Sequence, residues 1–574
     1  MSVQAKSPAK SHASPSFTDL FTPKLVTVLR EGYSLDNLRT DAIAGLTVAI
    51  VELPLSMAIA IASGASPAQG LYTAIIGGFI VSALGGSRFQ IGGPAGAFIV
   101  LVAATAAQHG MDGLILATFL SGFMLSAIGF LRLGTYIKFI PFPVTVGFTA
   151  GIAVIIFASQ IKELLGLTLA SAEPGPLLEK LPVLWASLGS ISPTAVALSV
   201  GVAAIIIGLK SIKPHWPGML IAVASAAAIT AALDLSVATI GTRFGGIPHA
   251  LPLPSFPVFN LAKILDVLPA ALSFTLLGAI ESLLSAVVAD GMTGRRHRSN
   301  CELVAQGVGN AASALFGGFC VTGTIARTAT NVRAGAHGPV SGMLHAVFLL
   351  LFMLLAAPLA SYIPLAALAG VLAVVSWNMV EKSAIAVLLR SNWGDAAVLT
   401  VTFLLTIFRD LTEAIIIGFA LGSVLFIHRM SQATAVETHT PFVGEDEADS
   451  DTPRGTYDEK TAANPEIVIY RITGAFFFGA AASIGSVLDN IQDTHKALIV
   501  DFAAVPFLDS TGANVIEGLA RKAHRRGVAL YVAGTNPAIA RTLHTHGVRP
   551  PEVSFAANVA AALALCKFET SSNG

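Results

Sequence analysis

Three charged side chains interrupt otherwise apolar stretches of this 574-residue chain: Arg327, Glu52 and Glu281. A charged residue at the centre of a bilayer-spanning helix costs about 3 kcal/mol on insertion scales, so it is retained where protein or water shields it. A guanidinium offers five donors to an anion, and a carboxylate can carry a proton or hold a cation. These residues therefore predict a polar site for small ions inside a membrane domain.

The composition excludes an ordinary globular enzyme. Hydrophobic residues make up 54% of the chain and charged residues only 12%, against about 25% charged in soluble domains. Lys plus Arg and Asp plus Glu both total 34, so no overall field favours nucleic acid as a partner. We find no nucleophile beside a base, no P-loop and no metal-ligand spacing in the sequence, and its three cysteines are scattered; we predict no enzyme, no cofactor and no metal site.

The elements that must position these residues are apolar segments, most of them near the length of about 20 residues that crosses hydrocarbon. Residues 1–40 are polar and are predicted to be a cytoplasmic tail, and residues 41–430 a transmembrane domain. We predict fourteen segments, near 41–63, 68–85, 91–107, 113–131, 140–160, 191–209, 217–234, 266–289, 304–318, 323–335, 340–360, 363–380, 395–411 and 412–428. Lys and Arg are more frequent in the loops assigned to the inside, which predicts a multi-pass protein of the bacterial inner membrane with both termini cytoplasmic.

The third and tenth segments are short and interrupted by glycine: IGGPAGAFIVLVAATAA and VTGTIARTATNVRAG. They correspond to each other if fourteen segments divide into two sevens, and paired broken segments indicate a transporter binding site. The N-terminus of each half-helix carries about half a positive charge and free N–H donors, so two facing ends form an anion trap. Glycines at 92, 93, 96 and 323 allow the backbone to approach a ligand closely.

Arg327 stands one turn beyond Gly323 and would add a full positive charge to this trap, suited to a carboxylate, sulfate or bicarbonate. A second interpretation stays open. The arginine could instead be structural, paired to a neighbouring carboxylate or carbonyls, or reach the inner interface.

The two carboxylates are candidate coupling residues. Glu281 lies far from either end of its segment, and we predict that it carries a proton or holds sodium; the alternative is a carboxylate that pairs with Arg327 or caps backbone donors. Glu52 occupies a similar place in the first seven of the fourteen segments. It is interpreted either as a second titrating group or as a structural residue whose hydrogen bonds are satisfied. Four polar residues near the inner loop are interpreted as loop caps: Asp290, Asn300, Glu302 and Asn310.

The character of the chain changes after residue 430. Residues 431–464 are predicted to be an acidic linker, and residues 465–574 an α/β domain of alternating strands and helices. Ser510 opens a helix at 510–526 and is interpreted chiefly as its N-cap. The basic cluster Arg521, Lys522, Arg525 and Arg526 is interpreted as a solvated helix face, with inner-leaflet lipid or an acidic protein as the alternative partner.

Four blocks together resemble the SulP family of anion permeases: DAIAGLTVAIVELPLSMAIAIASG, SRFQIGGPAGAF, GAIESLLSAVVADGMTGRRHRSNCELVAQGVGN and TGTIARTATNVRAG. FLDSTGANVIEGL resembles the STAS domain that follows the transport domain in that family. The resemblance implies an all-α polytopic membrane protein with two inverted seven-segment repeats and half-helices, followed by a small cytoplasmic α/β domain. It also implies a homodimer, a core that moves against a gate like an elevator, and a cytoplasmic partner for the STAS domain.

The same resemblance implies which residues bind the anion. They are Gly93, Pro94, Ala95 and Gly96 on one side, and Thr324, Ile325, Ala326 and Arg327 on the other. It places a carboxylate at Glu281, with a proton or sodium as coupling ion, and in related anti-sigma-factor antagonists the serine that matches Ser510 is phosphorylated. Several relatives carry serines where this chain has Thr324-Ile325-Ala326, which leaves the anion open.

We therefore expect a secondary transporter for sulfate, bicarbonate or a C4-dicarboxylate, working as a proton or sodium symporter. The alternatives are an anion channel or exchanger of the same fold and, with less support, a nucleobase symporter.

Overall fold

A computed structural model describes residues 17–135, 141–170, 173–174, 176–213, 216–409, 411–432, 435–438, 467–477 and 496–572. The chain divides into two compact units, Met1–Phe419 and Ala420–Gly574. The first unit is built from helices and the second contains a five-stranded sheet.

Nineteen helices, described in order along the chain, begin in the first unit. They are α1 (Phe17–Phe21), α2 (Lys24–Glu31), α3 (Leu35–Ala62), α4 (Pro67–Tyr72), α5 (Gly78–Leu84), α6 (Ile99–Phe130), α7 (Phe142–Leu165), α8 (Leu177–Ala186), α9 (Pro193–Ile212), α10 (Gly218–Ala232), α11 (Ile240–Phe244), α12 (Leu261–Thr293), α13 (Ser299–Leu315), α14 (Ile325–Arg333), α15 (Val340–Ala360), α16 (Leu365–Met379), α17 (Lys382–Ser391), α18 (Trp393–Phe408) and α19 (Leu411–Gln432). A π-helical turn, Thr73–Gly77, joins α4 to α5, and a 3-10 turn, Gly96–Phe98, leads into α6.

Each of the fourteen predicted segments coincides with helix, so the all-α membrane architecture is confirmed. Among the described residues, nine helices are long and apolar enough to cross a membrane. One of these, the stretch that includes α6, carries both the third and the fourth predicted segments, with a break at Gly110, whose φ is 69°. The number of membrane crossings therefore stays a prediction.

The N-terminal tail is more structured than the sequence predicted. Helices α1 and α2 lie within it, Val28 is fully buried, and α3 begins at Leu35, ahead of the predicted boundary at residue 41. Ser34 explains the early start, because its hydroxyl accepts a hydrogen bond from Asn37 N over 3.2 Å, and Asp36 follows in the first turn. Helices α8, α11 and α17 likewise lie in stretches predicted to be loops.

The two glycine-broken segments meet at a two-residue ladder. Strand β1 (Gly92–Gly93) pairs antiparallel with β2 (Thr322–Gly323), with Gly92 opposite Gly323. Each strand runs directly into a helix start, the turn before α6 and the N-terminus of α14. In lipid, backbone polar groups need partners inside the protein, and the ladder satisfies part of that need while bringing both helix starts together.

The packing of α6 against α13 supports this region from behind. A Cβ added at Gly122 would lie 2.6 Å from Gly307 O, and one at Gly129 would lie 2.8 Å from Asn300 O. Small residues at such crossings let helix backbones approach closely in membranes. The two helices therefore pack closely, backbone against backbone.

The second unit contains strands β3 (Ala435–Thr438), β4 (Ile467–Thr473), β5 (Ala497–Ala504), β6 (Ala529–Ala533) and β7 (Val553–Ala556), which are ordered as numbered. Strand β3 is antiparallel to β4, and the remaining neighbours are parallel. Its helices are α20 (Ser510–Arg525), α21 (Pro537–Thr545) and α22 (Val559–Ser572).

The sheet of this unit is covered on both faces. Val500 and Val532 pack with apolar residues of α20 and α21, whereas Ile499 and Tyr531 pack with Ala562 of α22. This alternation between the two faces is expected of strands, and the predicted α/β domain is confirmed.

Strand β3 lies within residues 431–464, the segment predicted to be a linker. It joins the sheet by pairing with β4 over Ala435–Thr438. The acidic part of that segment lies outside the described residues, so the linker and the domain boundaries stay predictions.

Candidate anion site

Arg327 connects three elements at the ladder. It lies in the first turn of α14 with 3% of its side chain exposed. Its Nη2 donates a hydrogen bond to Pro94 O over 2.6 Å, and its Nη1 lies 2.9 Å from Glu52 Oε1 on α3. The guanidinium is therefore held between the loop after β1 and a buried carboxylate.

Glu52 is fully buried and is shared between two basic side chains. Its Oε1 also accepts a hydrogen bond from Ser56 Oγ over 3.1 Å, while its Oε2 lies 3.0 Å from Nε2 of His345 on α15. Arg327, Glu52 and His345, here called the buried triad, thus come from α14, α3 and α15. A buried charge needs a partner, and Glu52 and Arg327 supply one to each other.

Several polar atoms around the triad have no hydrogen-bond partner among the described residues. They include Arg327 Nε, Thr324 Oγ1 and His345 Nδ1, all buried. Arg327 Nη1, Glu52 Oε2 and His345 Nε2 also lack a hydrogen bond to the described residues, and their contacts within the triad are ion-pair distances of 2.9 and 3.0 Å. A buried donor left without a partner costs about 1–3 kcal/mol, so native proteins rarely keep one without a reason. Donors of this kind beside two helix N-termini can hold an anion.

Gly93 is required by the triad. A Cβ at this position would overlap Glu52 Oε1 and Arg327 Nη1. Gly96 lies in the turn that leads into α6, where a Cβ would meet only Ile156 Cδ1 at 3.5 Å and Met379 Sδ at 3.6 Å. The first glycine therefore makes room for the ion pair, and the second lies against side chains of α7 and α16.

The other predicted anion-binding residues lie on the same ladder. Pro94 and Ala95 are buried beyond β1. Thr324 is the N-cap residue of α14 without a side-chain capping bond, and its backbone N donates to Ile91 O over 3.2 Å. Ile325 and Ala326 are exposed. The predicted set is thus brought together in space, and its role in binding stays a prediction.

Glu281 does not pair with Arg327. It lies at the middle of α12, is partly buried, and has no hydrogen bond or ion pair within the described ranges. The residues beside it on α12 do reach the site, because Ser282 Oγ lies 2.8 Å from Thr322 Oγ1 and Ser285 Oγ donates to Thr328 Oγ1 over 2.9 Å. The alternative interpretation of Glu281 as the partner of Arg327 is wrong, and Glu52 has that place.

Glu302 and Asn310 do bond loop backbone, but in the loops that lead into the ladder rather than in the inner loop next to them in sequence. Glu302 is fully buried, and it accepts hydrogen bonds from Ser87 N over 2.9 Å and Gln90 Nε2 over 2.8 Å. Asn310 accepts from Val321 N over 3.1 Å and donates to Val321 O over 2.8 Å. Both residues therefore hold the backbone that leads into the ladder. Their four-residue spacing with the intervening Gln306 was the signal that could have revealed them.

The remaining two loop-cap predictions agree with the structure. Asp290 accepts hydrogen bonds from His297 N over 3.0 Å, and Asn300 Oδ1 accepts from Gly134 N over 3.1 Å. His345, by contrast, was missed altogether. Its only signal is a lone histidine in the apolar run GMLHAVFLLL.

Ser510 is not the N-cap of α20. That role belongs to Asp509, whose Oδ1 accepts a hydrogen bond from Gly512 N over 2.8 Å. Ser510 follows as the first helical residue and is exposed. The capping interpretation of Ser510 is therefore wrong, while its phosphorylation stays a prediction. In the basic cluster, Arg521 pairs with Glu517 one turn earlier at 2.7 Å.

The sequence matches the Sulfate permease family over residues 38–402 and the STAS domain over residues 460–562. The chain belongs to the sulfate permease family. It is 40% identical over 524 residues to YvdB of Bacillus subtilis (strain 168), provisionally named a sulfate transporter, covering 90% of this chain and 95% of that protein. It is 32% identical over 531 residues to the bicarbonate transporter BicA of Synechocystis sp. (strain ATCC 27184 / PCC 6803 / Kazusa), covering 88% of this chain and 90% of BicA.

Solved structures agree with this assignment. The transmembrane domain of a cyanobacterium bicarbonate transporter BicA matches with a TM-score of 0.60 and 32% identity, over 67% of this chain and 98% of that one. The murine Slc26a9 anion transporter in the inward-facing state matches with a TM-score of 0.82 at 17% identity, over 98% and 96% of the chains. The second likeness shows the fold alone. Family membership makes this chain a multi-pass membrane protein of an anion transporter family, and it confirms the prediction that it is not an enzyme.

Proposed function

We propose that this protein is a secondary active transporter that moves sulfate, bicarbonate or a C4-dicarboxylate across the bacterial inner membrane. The observation that carries the proposal is Arg327, a buried arginine at the meeting point of two helix starts, whose Nε has no hydrogen-bond partner among the described residues. Relatives that are named sulfate and bicarbonate transporters support an oxyanion as the substrate.

Charge at the ladder supports binding of a small anion. Each helix N-terminus contributes roughly half a positive charge. The full charge of Arg327 is opposed by Glu52 at 2.9 Å. The site therefore attracts one negative charge through the helix ends, and a stronger attraction arises whenever Glu52 is neutralised.

Coupling to a cation is the second part of the proposal. Glu281 is a carboxylate without a partner in the described structure, one residue from Ser282, which contacts β2. A carboxylate so placed can hold a proton or sodium ion beside the anion. Glu52 can take a proton instead, and either event brings a positive charge into the site together with the substrate.

Elevator-type alternating access is the third part. Helix α6 packs with α12 and α13, while α7 packs with α16 and α18. Ile156 of α7 and Met379 of α16 lie over Gly96 at the edge of the ladder. Sliding of one group of helices against the other would uncover the ladder to one side of the membrane and then to the other, with both termini cytoplasmic.

Uptake into proteoliposomes tests the proposal, with labelled sulfate, bicarbonate and succinate supplied with and without a proton or sodium gradient. A charge-assisted hydrogen bond contributes about 1.5–3 kcal/mol, so Arg327→Ala should lower the apparent affinity for the transported anion by roughly 10- to 100-fold. Arg333→Ala is the matched control, because Arg333 is exposed at the end of the same helix.

Two results would contradict the proposal. One is the absence of gradient-driven uptake of all three anions by the parent protein. The other is equal uptake by Arg327→Ala and the parent. Loss of the gradient dependence in Glu281→Gln, with uptake retained, would identify Glu281 as the coupling residue.

A further inference from the structure

His345 lies against Glu52 on the side opposite Arg327. Its Nε2 is 3.0 Å from Glu52 Oε2, and the ring is fully buried. A Cβ at Gly78 would lie 3.8 Å from His345 Cε1, and a Cβ at Gly45 would lie 3.0 Å from His345 N. Helices α3 and α5 therefore pack closely around this histidine and fix its ring against the carboxylate.

No other ionisable group competes for this histidine in the structure as described. Helix α15 carries no second ionisable residue, and the stretch Pro67–Leu84 packed against it carries only Tyr72. The remaining ionisable residues of α3, Asp36, Arg39 and Asp41, lie toward its N-terminus. Asp41, one turn before Gly45, accepts hydrogen bonds from Tyr33 Oη and from the backbone N atoms at 337 and 338. Arg327 of α14 reaches His345 only through the carboxylate that they share.

The charge of the buried triad depends on one proton. With a neutral imidazole and an ionised carboxylate, the triad is neutral, because Glu52 offsets Arg327. One proton taken from water, held by His345 Nε2 or by Glu52 Oε2, gives the triad a net charge of plus one. The carboxylate is then either neutral or drawn toward the imidazolium, and in both cases it opposes the guanidinium less.

We propose that His345 is a positioning residue of the anion site, which holds the coupling proton with Glu52 and thereby releases Arg327 to the anion. This inference rests on the proposed transport function. One proton enters with the anion, stays between Nε2 and Oε2 during the crossing, and leaves with it on the other side. Only N–H and O–H bonds form and break.

The structure also explains why a glutamine is the informative substitution. A glutamine amide can donate to Glu52 Oε2 from about the same place as the imidazole, but it cannot carry a proton. His345→Gln therefore separates a role in packing from a role in proton binding. Met353→Leu is the matched control, since Met353 is buried on the same helix and carries no ionisable group.

The experiment measures protons taken up per anion bound, by titration calorimetry in two buffers with different ionisation heats between pH 6 and 8. Sulfate, succinate and bicarbonate each serve as the probe, with the full-length protein in detergent and the protonation of the probe itself subtracted. The parent and Met353→Leu should take up about one proton per anion. Their apparent affinity for the anion should therefore fall by up to about tenfold for each unit by which the pH rises. In His345→Gln, proton uptake should fall below roughly one third, and the affinity should change less than about twofold across the range.

Two outcomes overturn the role of His345. One is an unchanged number of protons and an unchanged affinity profile in His345→Gln. The other, which needs no variant, is parent protein that binds an anion but takes up fewer than about 0.2 protons. Absence of transport and binding for every probe in the parent overturns the proposed function itself, so the two failures are distinguishable.

Discussion

Replacement of Glu52 by glutamine tests the buried ion pair most directly. The change keeps the shape of the side chain and removes the charge that lies 2.9 Å from Arg327 Nη1. Removing one partner of a buried ion pair costs about 3–5 kcal/mol, since the other charge stays buried without compensation. In Glu52→Gln the amide oxygen can still accept from Arg327 Nη1, and the bond to Pro94 O remains, but the charge of the guanidinium is no longer offset. We therefore expect a loss of about 3 kcal/mol, at the lower end of this range.

This free energy converts into a measurable melting shift. Unfolding entropy is about 2.1 cal/mol/K per residue, which gives roughly 0.84 kcal/mol/K for a cooperative unit of about 400 residues. A loss of about 3 kcal/mol therefore lowers the Tm by about 4 °C. Thermal unfolding of the purified protein in detergent measures this shift directly.

The bound anion should restore part of the lost stability. It brings the negative charge that Arg327 lacks in Glu52→Gln, and a ligand at 100 times its Kd stabilises the folded state by about 2.7 kcal/mol. This amounts to a recovery of roughly 3 °C. Arg327→Ala, which lacks the guanidinium, should show a much smaller increase in Tm at the same anion concentration.

Glu281→Gln is the matched control, because it removes a second carboxylate that has no hydrogen bond or ion pair in the described structure. Its Tm should stay within about 1 °C of the parent. If Glu52→Gln melted at the same temperature as Glu281→Gln, the ion pair with Arg327 would not stabilise the fold, and the reasoning would be refuted.

Two further substitution pairs test other parts of the structure. Gly93→Ala should lower anion uptake at least about tenfold, because its Cβ would overlap the ion pair, whereas Gly201→Ala on α9, with open space around it, should retain uptake within about twofold. Equal uptake by both variants would contradict the close approach at Gly93. Asp509→Ala should destabilise the first turn of α20 by about 1 kcal/mol, and Ser510→Ala by less than about 0.5 kcal/mol. Hydrogen exchange of the backbone amides in that turn measures the difference: the exchange rate should rise roughly fivefold in Asp509→Ala and stay nearly unchanged in Ser510→Ala. Similar amide exchange rates in both variants would contradict the assignment of Asp509 as the N-cap.

The sequence was sufficient to locate the ladder but not the partners of its arginine. Glycine interruptions and a charge in an apolar segment are local signals, so Gly93 and Arg327 could be selected without any knowledge of packing. The partner of Arg327 depends on how α3 crosses α14, and Glu52 lies far away in sequence. The same limit applies to His345. In the sequence it is a single histidine in an apolar segment, and its contact with Glu52 follows only from the packing of α15 against α3.

Hydropathy located the helices for a related reason. Apolar length is a local property, and every predicted segment coincides with helix, yet whether a segment crosses the membrane alone depends on breaks such as Gly110. Short helices in polar stretches, such as α2, carry no comparable signal because they are held by tertiary contacts. Arg88, for example, forms a short ion pair with Glu31 at the end of α2, and this contact lowers the pKa of the Glu31 carboxyl.

The position of Glu52 addresses a difficulty that any carrier for anions faces. A bare arginine between two helix N-termini would bind an anion strongly in a medium of low dielectric constant, and a transporter must also release its substrate. A carboxylate that competes for the same guanidinium weakens the bound state. If its opposition is relieved by a proton, affinity rises when the proton arrives and falls when it leaves. In the proposed mechanism, binding and release would then follow the proton, and the ion pair that stabilises the empty site would also help the substrate to depart.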